Sequence, residues 1–412
     1  MPTAVDIVIV GGGLSGLALA AQLTAPQFAH LKVLVLEQRS HYERDRTWSY
    51  WQTTPHAYSH LERMHWNQWR ISQNDIQSDT QYDTQDDLQN SGDKILGSII
   101  KRAVLQNSTT AYCSIDADAF YSDVQDAIHK SQNVQLRLIT TVLRLQDTNA
   151  SNSQPAVLTE TGDEIVAQWV FDARPPVPQR ASTLVQQFAG WEVHTPHDVF
   201  ETNTVDLMAF EPSPHGLHFF YVLPYSPRTA LVETTWVSPA SHQPNYDAEL
   251  HHYLHKQFGV TNFEVTYQEK GILSLQHSIA PVSRNVILLG RGAGTLRPST
   301  GYAFLDTLRH TQALAESLAQ HPRTAALQDW KPPHFKRPAR DTWMDRVFLK
   351  VLQSDWQNSA SYFMQLFERV DADTLVAFLS GHASWAQRLT VAAALPTLPF
   401  AKAAMASLRK GA

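Results

Sequence analysis

Gly11, Gly13 and Gly16 form a G-x-G-x-x-G directly after the largely β-branched run 5–10, and they open the Ala/Leu-rich segment 14–23. Strand, tight turn and helix are the setting in which such glycines bind a dinucleotide. Gly11 permits the turn, Gly13 lets backbone N–H groups approach a pyrophosphate, and Gly16 lets helix and strand pack closely. Leu14 and Ser15 then lie at the positive end of the helix, facing the phosphates. Residues 32–36 repeat the strand signal and end at Glu37, roughly 20 residues beyond the last glycine, where a carboxylate accepts from ribose hydroxyls. Such a carboxylate repels a 2′-phosphate, so the pattern asks for FAD or NAD. The late strand 286–289, with Gly290, Ala293 and Gly294 after it, is the second cradle that a flavin enzyme brings back, and it favours FAD. Arg291 stands where an Asp most often follows that strand, so no carboxylate is assigned to the ribityl chain.

Other chemistries find less support. His251 and His255 stand at i, i+4 on a helix-forming stretch, but no third ligand or acid is arranged as a zinc motif requires, and no metal is expected. There is no G-x-S-x-G, so hydrolase chemistry is unsupported. Cys113 is the one cysteine. It excludes an intrachain disulfide, fits a reducing, cytoplasmic compartment, and reads as a small core residue.

The elements that must position these residues follow from periodicity. A chain of 412 residues, 43% hydrophobic and 17% charged, is long enough for two or three units. A net charge of -6 with no long basic run excludes a nucleic-acid partner. Residues 5–10 carry Asp6 and run into glycines, which suits a buried strand and not a secretory leader. The stretch 74–93, rich in Gln, Asp, Ser and Thr, reads as a solvated excursion and order resumes at 94–104. A helix is expected over 116–130, then strands at 134–139, 141–145, 156–159 and 168–171, with a turn at Thr161-Gly162-Asp163-Glu164. Pro175, Pro176 and Pro178 mark a crossing between units. A sheet follows from about 191 to 237, with strands 216–223 and 229–236 joined by a turn over 224–228. Helices are expected at 247–258 and 302–319 and, with proline breaks, after 331. No segment reaches the roughly 18 uncharged apolar residues a bilayer span needs; the closest, 389–408, is interrupted by two prolines and Lys402.

Several blocks together resemble the lycopene β-cyclase family of bacterial carotenoid enzymes: Asp45-Arg46-Thr47-Trp48-Ser49, Phe171-Asp172-Ala173-Arg174-Pro175, Phe219-Phe220-Tyr221-Val222-Leu223-Pro224, Leu231-Val232-Glu233-Thr234-Thr235, and 290–304 with its Pro298-Ser299-Thr300-Gly301-Tyr302. They keep the family's order over most of the chain, and the helical tail with Phe363, Phe367, Phe378, Glu368 and Asp371 is similar more loosely. The resemblance implies an α/β (α+β) flavoprotein with a Rossmann-like FAD-binding domain of the hydroxybenzoate-hydroxylase/geranylgeranyl-reductase type. An antiparallel-sheet substrate domain and a helical C-terminal tail complete it. The expected boundaries are 1–180 with 265–330 for FAD, 181–264 for substrate, and 331–412 for the tail.

It also implies a reaction without net redox change. The ψ end groups of lycopene, or of a related linear carotenoid, close to β-rings, with FAD in its reduced form and NAD(P)H as electron source. A terminal double bond is protonated, the cation is attacked by the neighbouring alkene, and a proton is lost. That chemistry needs a neutral acid, exclusion of water and stabilisation of the cation. Glu233 is the expected acid, its proton retained by apolar burial near Val232 and Trp236. Arg46, Thr47 and Trp48 are expected to reach flavin, and so is 298–302, where Gly301 at a helix start offers N–H groups to the ring's carbonyl edge. Trp48, Tyr50, Trp51, Phe220, Tyr221 and Thr235 are the expected substrate contacts. Asp172 and Arg174 suit either an ion pair or a cofactor contact. Because lycopene resides in the bilayer, peripheral membrane association is expected, through a helix presenting Trp343, Val347, Phe348 and Val351 beside Arg340, Arg346 and Lys350. The alternative is a redox flavoprotein of the same fold, a monooxygenase or polyprenyl reductase, which would change substrate mass.

Overall fold

The computed structural model describes residues 3–75, 99–107, 109–146, 154–176, 184–275 and 285–408. Most of the polar stretch 74–93, together with Pro178, lies outside them. The chain divides into two compact units, Met1–His65 with Tyr112–Thr183 and Leu273–Leu349, and Trp66–Ala111 with Leu184–Ile272 and Lys350–Ala412.

The first unit is built on a mixed sheet in the order Val134–Arg137, Val33–Leu36, Thr3–Val10, Glu164–Asp172, Ala156–Thr159, Val142–Gln146, with Val286–Leu288 also pairing with Glu164–Asp172. Thr3–Val10 runs parallel to both its neighbours. A central parallel strand is covered on both faces and reads as continuous apolar sequence, and Ile7 to Val10 are accordingly buried without alternation. Helix Leu14–Leu23 follows directly. A smaller sheet holds Thr47–Trp51, Tyr112–Asp116 and Met64–Trp66. The helix expected to begin at 302 begins at Phe304 and runs to Gln320.

In the second unit seven strands lie in the order Glu264–Ser274, Leu184–His194, Thr229–Pro239, Leu217–Ser226, Thr204–Glu211, Gln68–Asp75, Ile99–Gln106. The expected substrate region of 181–264 is therefore wider at both ends. Gln68–Asp75 pairs in parallel with Thr204–Glu211, and Glu264–Ser274, placed by its sequence with the FAD region, is the far edge of this sheet. The expected turn over 224–228 is also shorter. Strand Leu217–Ser226 continues through Pro224, which faces Ala230 just before a register shift; a proline has no N–H to give the ladder, and a local irregularity accommodates it. The Pro224 carbonyl accepts from the Trp66 indole at 3.2 Å.

Helix Tyr246–Phe258 is capped by the Asn245 side chain and ends at Gly259 in a left-handed conformation. It buries Leu250, Tyr253 and Leu254 against Trp191, Val193, Phe220, Val222, Ala230 and Val232. Beyond it, helices Trp356–Arg369, Ala372–Leu379, Trp385–Ala394 and Thr397–Leu408 continue the unit. Of the expected membrane-facing residues in helix Ala339–Ser354, Val347 and Val351 are buried, Phe348 is half-buried and Trp343 is exposed; large apolar side chains are also exposed at Trp385, Leu389, Leu398 and Met405. Among the described residues no helix is long and apolar enough to cross a membrane.

A buried ion pair ties the C-terminal part of the first unit to its late glycine segment. Arg297 Nε lies 3.1 Å from Asp345, both side chains are almost fully buried, and Ser299 donates to the same carboxylate at 2.7 Å. Removing one member of such a pair leaves an uncompensated buried charge and costs about 3–5 kcal/mol. Asp345→Ala is therefore expected to lower unfolding free energy by about that amount in urea titration, and a loss below about 1 kcal/mol would contradict the pair's structural role.

Candidate active site

The dinucleotide loop is built as its glycines require. Gly11 has φ +97°, and a Cβ on Gly16 would lie 2.0 Å from the Gly11 carbonyl oxygen, which no side chain survives. Gly13 is the N-cap of helix Leu14–Leu23 and brings no capping side chain, so the first-turn N–H groups lack intrahelical acceptors. A Cβ on Gly13 would meet nothing within 4 Å, leaving open space in front of those donors. These features fit the pyrophosphate of a dinucleotide.

Glu37 is buried at the end of Val33–Leu36 and accepts from the Gly12 N–H at 2.6 Å and the Arg39 N–H at 2.9 Å. Burial alone would raise its carboxyl, but the Arg39 guanidinium and these N–H groups outweigh it and hold the group below its ordinary value. Gly12, an unspecified position in the motif, is as constrained as its neighbours. A Cβ there would stand 2.2 Å from the Tyr42 hydroxyl, which donates to the Gly12 carbonyl at 3.0 Å, as Arg39 does at 2.9 Å. Arg39, stacked near Tyr42 and Tyr121, is a site residue that no motif position marks.

The late glycine turn meets the first. Gly290 has φ +55°, and a Cβ on it would press against Ser15 Oγ at 2.8 Å; Ala293 and Gly294 close the short helix that follows. Arg291 is half-buried, and its burial and the nearby Arg46 both disfavour its charge. The two guanidinium groups thus act on one another, and Arg291 follows Gly290, the residue that packs against Ser15 of the first loop. Arg46 itself pairs with Asp45 at 2.9 Å, and Thr47 accepts from Arg44 at 3.2 Å. Asp172 and Arg174 form a two-point ion pair, with Nε and Nη2 at 2.9 and 2.8 Å.

The segment Pro298–Tyr302 differs from expectation at one point. Gly301 has φ +74° and its N–H donates to the Arg297 carbonyl at 2.8 Å, closing a turn before the helix starts. That N–H is consumed internally and is not presented to a ligand. Thr300 Oγ1 accepts from the Tyr302 N–H.

Of the aromatic candidates in the first unit, Tyr50 stacks on Phe304 with centroids 4.6 Å apart and donates to Glu62 at 2.8 Å; it belongs to the core. Trp51 packs edge-on against Tyr112 and Tyr302 and is buried. Trp48 is only partly buried, beside Phe120, Tyr121 and Phe304. Glu62, His65 and Cys113 bring donor atoms within 4.8 Å of one another. The Glu62 carboxylate is engaged by Tyr50, Gln52 and His65, which accounts for its burial, and burial beside Glu62 pushes the Cys113 thiol up. His251 packs against Trp191 and Phe263.

In the second unit the pleat sorts the remaining candidates. Side chains alternate along a strand, so Val232, Thr234 and Trp236 face helix Tyr246–Phe258 while Glu233 and Thr235 face the other way. Phe220 stacks on Tyr253, centroids 3.9 Å apart, beneath that helix; it is not on the Glu233 face. Tyr221 is, directly opposite Glu233 in register. On the other side Glu233 is paired with Gly190, and the Thr235 hydroxyl donates to Glu233 Oε1 at 2.5 Å. Glu233 keeps some accessible surface yet sits deep in protein, and burial, with Glu269 nearby, raises its carboxyl to about 8 against the opposing pull of Thr235. Burial therefore favours the protonated form of Glu233, although Val232 and Trp236 play no part on its face.

The family described as Lycopene cyclase protein matches residues 6–91 and 96–405 of this chain. A lycopene beta-cyclase of Paracoccus sp. (strain N81106 / MBIC 01143) is 28% identical over 307 residues, covering 71% of this chain and 75% of that relative. Among solved structures, a geranylgeranyl bacteriochlorophyll reductase-like protein of Thermoplasma acidophilum aligns over 98% of this chain and 99% of its own at 13% identity, TM-score 0.61. The halogenase PltM aligns over 94% and 86% at 12% identity, TM-score 0.59. These likenesses establish the fold, of the expected reductase and hydroxylase type.

Arg291→Ala removes a cation from beside the phosphate loop. Flavin fluorescence titration is expected to show FAD bound about tenfold more weakly, a loss in the range of hydrogen bonds to charged groups, and unchanged affinity would remove Arg291 from the site.

Proposed function

This chain belongs to the lycopene cyclase family, and from that premise we propose that it closes the ψ end groups of lycopene to β-rings, giving γ-carotene and then β-carotene, with Glu233 as the acid. The observation that carries this reading is the Glu233 carboxyl: its proton favoured by burial and by nearby Glu269, not fully covered, and fixed in direction by Thr235. Because Oε1 accepts from Thr235, Oε2 is left to carry the proton. Transfer of that proton to the terminal double bond breaks the Oε2–H bond, forms a C–H bond and leaves a tertiary cation. The neighbouring alkene closes the six-membered ring, and loss of a proton restores a double bond, so product and substrate are isomers. An unactivated alkene is a poor base, which is why a water-exposed, ionised carboxylate would not serve.

FAD is the cofactor that the glycine turns suit, with Gly11, Gly13, Leu14, Ser15 and Gly16 at the pyrophosphate, Glu37 at the ribose, and Gly290–Ala293, Gly294 and Arg291 completing the cradle. In its reduced form, maintained by NAD(P)H, it supplies negative charge suited to stabilising a carbocation. Tyr221 shares the Glu233 face and is the substrate contact this reading retains from that sheet, while Thr235, fully buried and bonded to Glu233, orients the acid instead of touching substrate. The exposed Trp385, Leu389, Leu398 and Met405 are the surface proposed to meet the bilayer that holds the substrate. Replacing Trp385 and Leu389 with Ser together is expected to reduce co-sedimentation with liposomes several-fold while FAD binding stays intact; equal sedimentation would refute that contact.

Glu233→Gln keeps the shape and removes the acid. Loss of general-acid catalysis is worth about 10²–10⁴ in rate, so pigment analysis in a lycopene-accumulating host should find linear carotenoid, with normal FAD content in the purified variant. In the wild type the donor works only when protonated, so activity is full at lower pH and falls as pH rises through about 8. A product heavier by oxygen or hydrogen would instead point to redox chemistry.

A further inference from the structure

Gly190 is the one position between Glu233 and strand Glu264–Ser274 where a side chain is missing. A Cβ placed on it would lie 3.4 Å from Glu233 Cβ and 3.4 Å from Glu269 Cγ. The two acids therefore reach over the same gap from the strands on either side of Leu184–His194, and both point to the face away from helix Tyr246–Phe258. Glu269 is buried, and the Tyr267 hydroxyl donates to its Oε2 at 2.7 Å. A donated hydrogen bond favours the ionised form. Glu233 receives one such bond, from Thr235, and keeps one oxygen for a proton.

We propose that Glu269 is a positioning residue that keeps the proton on Glu233: the two carboxyls approach one another across the missing side chain of Gly190, so a negative charge on Glu269, whose Oε2 accepts from Tyr267, opposes ionisation of Glu233. Among the described residues of this sheet, the titratable groups on the Glu233 face near it are these. Tyr221 lies opposite on Leu217–Ser226, Glu192 lies two residues along on Leu184–His194, and Tyr267 and Glu269 come from Glu264–Ser274; its own strand contributes only Leu231, Thr235 and Val237 to this face. Glu269 is the charge that acts on Glu233 most strongly after burial itself. The absence of a side chain at Gly190 matters for the same reason, since a Cβ there would already touch both acids and a larger side chain would stand between them.

This inference rests on the reading of Glu233 as the acid, and the test distinguishes the two. Infrared titration of the full-length protein identifies the Glu233 carboxyl band by its disappearance in Glu233→Gln. In Glu269→Gln the band is expected to ionise about one pH unit or more lower than in wild type, and the alkaline limb of cyclisation should move with it while activity at lower pH is kept. Glu269→Asp retains the charge and should stay near the wild-type midpoint. An unmoved midpoint in Glu269→Gln overturns the proposal, since a purely structural role would lower the rate at every pH and leave the titration alone. If Glu269→Gln does not fold, NMR titration of isotope-labelled glutamate carboxyls in the wild type decides. Two coupled carboxyls ionising in well-separated steps support the proposal; Glu233 ionising in the ordinary carboxylate range overturns it. Full cyclase activity in Glu233→Gln would instead sink the acid assignment, whatever the midpoint does.

Discussion

The pleat of strand Thr229–Pro239 is the constraint that divides the second unit into a packed face and a face that carries Glu233. One face of the sheet is spent on stability: Val232 and Ala230 pack with Phe220 and Val222 under Leu250, Tyr253 and Leu254. The opposite face is thereby free to hold groups that a core would not tolerate. Burying a carboxylate without a counter-charge is expensive, and the group protonates instead of paying that cost. The raised affinity of Glu233 for its proton follows from where the strand places it, in protein and beside Glu269.

The first unit solves a different problem by local means. Its glycines bring backbone donors and a carboxylate to one loop, and the surrounding residues fix that loop from several directions. Arg39 and Tyr42 both donate to the Gly12 carbonyl, Ser15 lies against Gly290, and Arg291 adds positive charge beside Arg46. Each contact is worth little alone, yet together they hold a chain segment with few side chains of its own in a single shape.

What the sequence discloses follows the range of the interactions involved. The strand, glycine turn, helix and Glu37 are consecutive and could be read directly, as could helix Ala117–Lys130 and most short strands. Glu233 was legible through the block that contains it, but its surroundings were not. Val232 and Trp236 are its neighbours along the chain and, by alternation, its opposites in space. Phe220 and Tyr221 are likewise adjacent in sequence and divided between faces. Glu269 was out of reach because Glu264–Ser274 alternates exposed, mostly polar residues with half-buried ones, has Gly271 within it, and joins the sheet through pairing with a strand far earlier. Gly301 was misplaced because a glycine before a helix reads as a cap, while here its N–H closes a turn onto Arg297.

The buried pair of Arg297 and Asp345 has a consequence for how the protein is made. The segment Pro298–Tyr302 is synthesised well before helix Ala339–Ser354, so the bond from Arg297 to Asp345 forms only after residue 345 has left the ribosome. The late cradle therefore matures after the strand and helix that flank it. A nascent chain can complete its first glycine loop early, while its capacity to enclose a whole dinucleotide waits on a helix from the last quarter of the chain.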